Sequence, residues 1–372
     1  MRAEHLYIHV PFCARRCVYC DFSIAVRPRV PVDEYLAALE REWTARHRDS
    51  EFDLSTLYLG GGTPSKLGAE GIHELMDMAR RRARLRDDAE VTLEANPEDV
   101  TPDSARAWHQ AGVNRISLGV QSFDDAVLTW MHRTHDAKRA LEAIEVLRDA
   151  GIYNLSIDLI FAVPAREPGG WEKDLETALN LDLPHLSVYG LTVESHTPLG
   201  RRVARKDVSE AGEETFEGEF LEAHEALTAS GLEHYEVSNY AKPGKHSRHN
   251  WAYWMRKPYG GLGPSAHEFD GGARRWNAAG YADWVSRLSR GSDVTEGSEE
   301  LGTNESTAEE VYLNLRTSTG LAISPREREQ TTRLLDAGWA SLTADSTIRL
   351  TGSGWLRLDS IASDLTLLRS RS

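Results

Sequence analysis

The feature that most limits what this chain can fold into is an alternation running through its N-terminal two-thirds. A short apolar, β-rich run is followed by a helical pattern, and then by another run. The runs are Leu6–Val10, Leu57–Gly60, Val91–Asn96, Arg115–Gln121, Leu155–Val163 and His185–Glu194. Helical stretches fit between them at Val32–Arg48, Ala69–Arg84, Asp103–Ala111, Asp136–Ala150 and Gly170–Leu181. In the fourth stretch Ala137, Ala140, Leu141, Ile144 and Leu147 recur at helical spacing and Gly151 follows as a C-cap signal, so this helix should lay an apolar stripe on a sheet. Repeated β-then-α units imply an α/β fold with a parallel sheet, either a curled partial (βα)6 barrel or an open doubly wound sheet.

In both architectures function gathers at the C-terminal ends of the strands. The first run leads into a cysteine loop, the second ends in Gly60-Gly61-Gly62-Thr63-Pro64 and the third in Glu94-Ala95-Asn96-Pro97. The fourth ends in Gly119-Val120-Gln121-Ser122, and the fifth carries Asp158 inside an otherwise apolar run. These polar and glycine-rich features fall at one end of the sheet, which a purely structural role does not require.

The cysteine loop, Cys13-Ala14-Arg15-Arg16-Cys17-Val18-Tyr19-Cys20, holds every cysteine of the 372-residue chain. Three clustered thiols with no distant partner fit a reducing cytoplasm and a metal or redox role, not a disulfide framework. A structural zinc site would want a fourth protein ligand, for which His9 is the candidate. An electron-transfer ferredoxin cluster would want a fourth cysteine. A [4Fe-4S] cluster on three cysteines would leave one iron open to an exogenous ligand.

No secretory leader and no apolar run near the roughly 20 residues of a membrane span is present, so a soluble cytoplasmic protein without a transmembrane segment is expected. The formal net charge of -15 argues against a protein built mainly to hold nucleic acid. Past Glu194 an acidic helix over Ser209–Ser230 leads to His234-Tyr235-Glu236-Val237-Ser238-Asn239-Tyr240, a stretch rich in His, aromatic and basic residues, and Gly260-Gly261-Leu262-Gly263. Residues 293–310 turn polar and acidic, as a linker would. Beyond them Val311–Arg316, Pro325–Ala337 and Ile348–Leu350 suggest a small winged-helix-like cap. With eight arginines against six acids in 311–372 and no basic run, a structural or lid role is expected for it over DNA binding. The expected division is a core at 1–200, a connecting region at 201–292, and an acidic linker with the cap at 293–372.

CxxxCxxC after the first strand of such a barrel resembles the radical S-adenosylmethionine (SAM) superfamily. That resemblance implies a [4Fe-4S] cluster on Cys13, Cys17 and Cys20, whose open iron chelates SAM, and an electron donor that reduces it. The deoxyadenosyl radical chemistry is then the cofactor's, and the protein orients it and excludes water. Tyr7-Ile8-His9-Val10-Pro11-Phe12-Cys13, Gly60-Gly61-Gly62-Thr63-Pro64, Glu94-Ala95-Asn96-Pro97, Gly119-Val120-Gln121-Ser122-Phe123 and Ile157-Asp158-Leu159-Ile160 are similar, nearly end to end, to the oxygen-independent coproporphyrinogen oxidase family. By that resemblance Tyr7, Gly61 and Glu94 contact the cluster-bound SAM. Tyr19, Gly62, Thr63, Gln121, Arg133 and Asp158 correspond to the second SAM site of the oxidase. Bland roles stand beside these: Glu94 as a strand-end cap, Asp158 as a buried partner of Arg133, Tyr7 as core.

Two departures separate the chain from the oxidases. Cys20 is followed by Asp21-Phe22 where the oxidases carry a fourth cysteine, and their long extension before the first strand is missing. Both departures, with His249-Asn250-Trp251-Ala252-Tyr253-Trp254, match the HemW branch and its HNxxYW motif. Members of that branch are regarded as heme chaperones that deliver heme to acceptor hemoproteins such as membrane-bound respiratory enzymes.

Imidazole is a common heme ligand, and Trp251, Tyr253 and Trp254 offer flat surfaces to a large π system. Lys245, Arg248, Arg256 and Lys257 can pair with propionates. The heme-binding set expected is His249, Asn250, Tyr253 and Trp254, with His246 and His267 as rival ligands. Against this stands a plain aromatic strand with a hydrogen-bonded histidine. The alternative functions are oxidative decarboxylation of coproporphyrinogen III and simple electron transfer.

Overall fold

A computed structural model describes residues 2–48 and 50–370. Six strands appear in chain order as β1 (Arg2–Val10), β2 (Glu51–Gly61), β3 (Arg84–Ala95), β4 (Arg115–Gln121), β5 (Asn154–Phe161) and β6 (His185–Gly190), and each pairs in parallel with the next. Helices Val32–Arg46, Gly68–Arg82, Pro102–Gln110, Ala137–Asp149 and Gly170–Asn180 make the crossovers. This is the α/β partial (βα)6 barrel, the curled member of the two architectures the alternation allowed.

The fourth crossover shows how locally this was encoded. Asp136 accepts from the Arg139 N–H at 2.7 Å and caps the helix start. Ala140, Ala143, Ile144 and Leu147 are its buried face. Gly151 takes a φ of +90°, and the Gly151 and Ile152 amides close onto Arg148 and Leu147 carbonyls to end it.

Side chains alternate across a strand. Leu6, Ile8, Val10, Leu57, Leu59, Val91, Leu93, Ile116, Leu118, Ile157 and Leu159 belong to one buried apolar cluster with the helices. The residues between them face the lumen and are polar: His5, Tyr7 and His9 on β1, Thr56 and Tyr58 on β2, Glu90, Thr92 and Glu94 on β3, Arg115 and Ser117 on β4, Ser156 and Asp158 on β5. Hydrogen bonds across the strands follow, with Ser117 donating to Asp158 at 3.2 Å and Tyr58 to Glu94 at 2.8 Å.

The connecting region, expected to carry the heme-binding HNxxYW motif, adds three strands to this sheet: β7 (Glu233–Glu236), β8 (Asn239–Ala241) and β9 (Gly260–Leu262). The sheet order is β9-β1-β2-β3-β4-β5-β6-β8-β7, with β9 parallel to β1 and the β7–β8 hairpin antiparallel to β6. Gly261 must be glycine here, because a Cβ would lie 2.0 Å from the His267 carbonyl oxygen.

The expectation of a linker at 293–310 is corrected. Thr295–Glu300 is the edge strand of a three-stranded antiparallel sheet with His267–Phe269 and Ala273–Asn277, and Thr303–Arg316 is a helix. Their acidic residues looked like a solvated linker, but two of them are paired. Glu296 pairs with Arg287, and Glu309 with both Arg256 and Arg274. The C-terminal unit is the winged-helix-like cap, with helices Thr303–Arg316, Arg328–Asp336 and Leu358–Ser370 around the small sheet of Leu321–Ala322, Ala340–Leu342 and Thr347–Leu350. No helix among the described residues is long and apolar enough to cross a membrane.

Candidate metal and SAM centre

The C-terminal ends of the barrel strands open into one cavity of about 510 Å³, within the usual range for small-molecule sites. Cys13, Cys17 and Cys20 line it, together with Tyr19, Gly61, Gly62, Thr63, Glu94, Gln121, Arg133 and Asp158. Of the residues expected around SAM, Tyr7 alone is outside this wall. Its ring stacks on Tyr58 at 6.0 Å, and its hydroxyl meets His9 Nδ1 at 3.1 Å, one layer behind the cavity.

The cysteine loop is held from several sides. The Val18 N–H donates to the Met131 carbonyl, and Leu199 N–H donates to the Val18 carbonyl. Cys13 Sγ lies 3.3 Å from Thr63 Oγ1, and the Arg133 Nη1 lies 3.5 Å from Cys17 Sγ. Burial pushes the Cys13 thiol up to about 11 and raises Cys20 as well. Ligation of a metal would require thiolates, a form that Arg133 beside Cys17 favours.

The donor set fits an iron–sulfur cluster. No group of three or more His, Cys, Asp or Glu among the described residues could hold a single ion, whereas a [4Fe-4S] cluster would take the three cysteine thiolates on separate irons. The zinc reading with His9 as fourth ligand is corrected. His9 is 6 % exposed, and its two ring nitrogens are committed to Tyr7 Oη and the Ser23 carbonyl, each at 3.1 Å.

The glycine loop is a cradle that side chains would fill. Gly61 has φ +116°, and a Cβ on it would meet the His9 ring at 2.7 Å. One on Gly62 would lie 2.7 Å from the Pro11 carbonyl carbon. Glu94 is anchored by both oxygens, to Tyr58 Oη at 2.8 Å and to the Gly61 N–H at 3.0 Å. Burial raises its carboxyl to about 7. Opposite it, Arg133 donates to Asn96 Oδ1 and the Gly119 carbonyl, each at 2.7 Å, and not to Asp158. Asp158 is held by Ser117, and burial raises its carboxyl too. Gln121 adopts a left-handed φ of +71° at the end of β4, a conformation uncommon outside glycine and typical of constrained sites.

The heme set is placed elsewhere. HNxxYW is a helix, Arg248–Trp254, capped by Ser247, and not an aromatic strand. His249 is 1 % exposed. Its Nδ1 is 2.7 Å from Thr56 Oγ1 and its Nε2 2.9 Å from Tyr253 Oη, so neither nitrogen is open to iron. Trp254 lies under Arg316 at 4.3 Å, and the Asn250 N–H bonds Ser247. The flanking cations are partly used, Arg248 on Asp88 and Arg256 on Glu309. Among the rivals, His246 is paired with Glu233 at 2.7 Å, while His267 is an exposed ring stacked on Trp276.

Tyr58, Ser117 and Tyr189 also belong to this site, the first beneath it and the others in its wall, and sequence reading passed over them; Asn96, read only as part of its strand-end motif, stands in the wall too. The signal was present as a polar residue at every second position of strands whose other positions are apolar.

Comparison with known proteins agrees with this geometry. Residues 7–178 match the model of the radical SAM superfamily. The chain is 36% identical over 342 residues to the heme chaperone HemW of Bacillus subtilis, covering 91% of this chain and 90% of that protein. It is 35% identical over 368 residues to the heme chaperone HemW of Mycobacterium tuberculosis, covering 97% and 94%. Among solved structures, the Escherichia coli coproporphyrinogen III oxidase HemN, described as a radical SAM enzyme, superposes with a TM-score of 0.83 over 97% of this chain and 89% of that one. At 23% identity this likeness speaks for the fold. A barrel with three cysteines on its first loop, matched over nearly its whole length by these relatives, places the chain in the HemW branch of the HemN-like radical SAM family.

Proposed function

We propose that this protein binds heme and transfers it to acceptor hemoproteins, using a [4Fe-4S] cluster on Cys13, Cys17 and Cys20 and SAM held in the barrel mouth. The observation that carries this is the near full-length similarity to proteins named heme chaperones, joined to a cavity that brings the three cysteines, the glycine cradle and Glu94 together. When bound, the cluster and SAM supply one-electron chemistry. The chain's own part is to hold the thiolates with Arg133 and Thr63, to receive SAM on Gly61 and Glu94, and to shield the site from water. Respiratory enzymes are the acceptors proposed, a cytoplasmic reductant the electron donor, and the cytoplasm the location. The three-part division at residues 200 and 292 is a working one, since β7, β8 and β9 complete the core sheet.

The deciding experiment reconstitutes the cluster anaerobically and supplies SAM with either heme or coproporphyrinogen III. Heme retained through gel filtration and passed to an apo-hemoprotein, without porphyrinogen turnover, is the expected result. Conversion to protoporphyrinogen would overturn the chaperone reading in favour of the oxidase.

A further inference from the structure

The HNxxYW helix lies one layer beneath Glu94, and the contacts between them are continuous. His249 bridges Thr56 on β2 and Tyr253 on its own helix through its two ring nitrogens, at 2.7 and 2.9 Å. Its ring stacks on Tyr58, with centroids 5.1 Å apart and planes 29° from parallel. Tyr58 then donates to Glu94 Oε1 at 2.8 Å, while Glu94 Oε2 accepts from the Gly61 N–H. At the start of the helix, the N–H groups of Arg248 and His249 each donate to Glu90 at 3.1 Å, on the strand that carries Glu94. The helix is therefore tied to both strands that build the carboxylate's position.

We infer that Tyr58 and His249 are positioning residues of the SAM site, which fix the Glu94 carboxylate where it meets SAM, and that the HNxxYW motif serves this purpose and does not ligate heme iron. The inference rests on the reading that SAM docks against Glu94. It departs from the resemblance, which assigned His249 to heme. Reaching an iron would require His249 to give up two hydrogen bonds and leave a closed site, orphaning the Thr56 and Tyr253 hydroxyls that it now pairs. Burial alone would not favour a histidine here, since a hydrophobe of similar shape would pack. What selects histidine is the pair of fixed hydroxyls, Thr56 and Tyr253, on opposite edges of its ring.

The test uses full-length protein with reconstituted cluster, in wild type, Tyr58→Phe and His249→Phe. Cluster absorbance per chain serves as the folding control. SAM affinity is read from the change in the EPR signal of the reduced cluster on titration, and heme uptake separately from the Soret band at saturating SAM. Tyr58→Phe should weaken SAM about tenfold, the usual effect of losing one hydrogen bond to a charged group, and His249→Phe several-fold, with the Soret band of both unchanged. The midpoint of SAM affinity against pH should also move up in Tyr58→Phe, because its hydroxyl favours the ionised carboxylate. The other groups facing Glu94 remain in place: Tyr7 on β1, Arg115 on β4, Asp158 on β5, Tyr189 on β6 and Tyr253 on the motif helix. A general loosening would lower affinity equally at every pH.

SAM affinity within twofold of wild type in both variants would overturn the inference, as would loss of the Soret band in His249→Phe at saturating SAM. A wild type that takes up no heme would defeat the proposed function alone, because the SAM titration still decides this point.

Discussion

Arg133 stands with one guanidinium nitrogen 3.5 Å from the Cys17 sulfur and the other 2.7 Å from both the Gly119 carbonyl and Asn96 Oδ1. Its charge is thereby fixed against one of the three thiols proposed to hold the cluster. Arg133→Leu should lower the reduction potential of the reconstituted cluster. Losing a charge-assisted hydrogen bond of ~1.4 kcal/mol corresponds to about 60 mV for one electron. Spectroelectrochemical titration measures it, and an unchanged potential would remove Arg133 from the cluster's surroundings.

Changing Cys13, Cys17 and Cys20 together to Ala should abolish the brown cluster absorbance after anaerobic reconstitution. These are the only cysteines in the chain, so absorbance that survives would mean the ligands are not thiolates at all.

Gly61→Ala places a methyl 2.7 Å from the His9 ring at a φ of +116°, and should weaken SAM at least tenfold while leaving the cluster intact. Gly68 is the control. Its φ is +75°, but nothing lies within 4 Å of a Cβ there, so Gly68→Ala should cost only about 1 kcal/mol of stability from backbone strain. Equilibrium dialysis of SAM and urea unfolding separate the two effects.

Glu98 gives a pH dependence. Burial works to raise its carboxyl, but hydrogen bonds from His135 at 3.2 Å and from Thr134, with the charge of Arg133, outweigh it and bring the carboxyl down to about 2. A depressed carboxyl contributes stability that is present above its unfolded value near 4.5 and is lost as pH falls toward 2. Glu98→Gln should therefore cost about 2 kcal/mol at pH 7, with the gap to wild type closing between pH 4.5 and 2. A gap that stays constant through that window would show that the carboxylate is not the source.

Glu236 is fully buried and meets Arg316 of the cap's first helix at 2.9 Å, while the same guanidinium covers Trp254. Arg316→Met leaves a buried carboxylate without its cation and should cost about 3 kcal/mol in urea unfolding. Adding Glu236→Gln should recover part of that loss. If the double variant is as unstable as the single, packing on Trp254 carries the interaction.

Much of the barrel and its rim was legible in the sequence because the signals are local. Gly151 ends a helix, Asp136 starts one, and the CxxxCxxC spacing and the GGG turn lie within a few residues of a strand end. What local spacing does not show depends on distance. His249 looked like an open ligand because its neighbours in sequence are aromatic and basic, yet Thr56 and Tyr58, far away in sequence, close around it. Residues 295–300 looked like a linker because their charges are visible, whereas Arg287, which neutralises one of them, reaches the strand only through the fold.

By itself the sequence determined the order of β and α units, the three thiols on the first loop, and the polar residues at alternate strand positions. All of these follow from the period of a strand or helix and from short-range spacing. The tertiary structure decided which polar residues face the cavity and which are sealed beneath it. It put Tyr7 behind the wall, Arg133 on Cys17 in place of Asp158, and the HNxxYW helix under Glu94. Accessibility and hydrogen-bond partners are properties of chain closure, since they are set by strands and helices that meet only when the barrel curls.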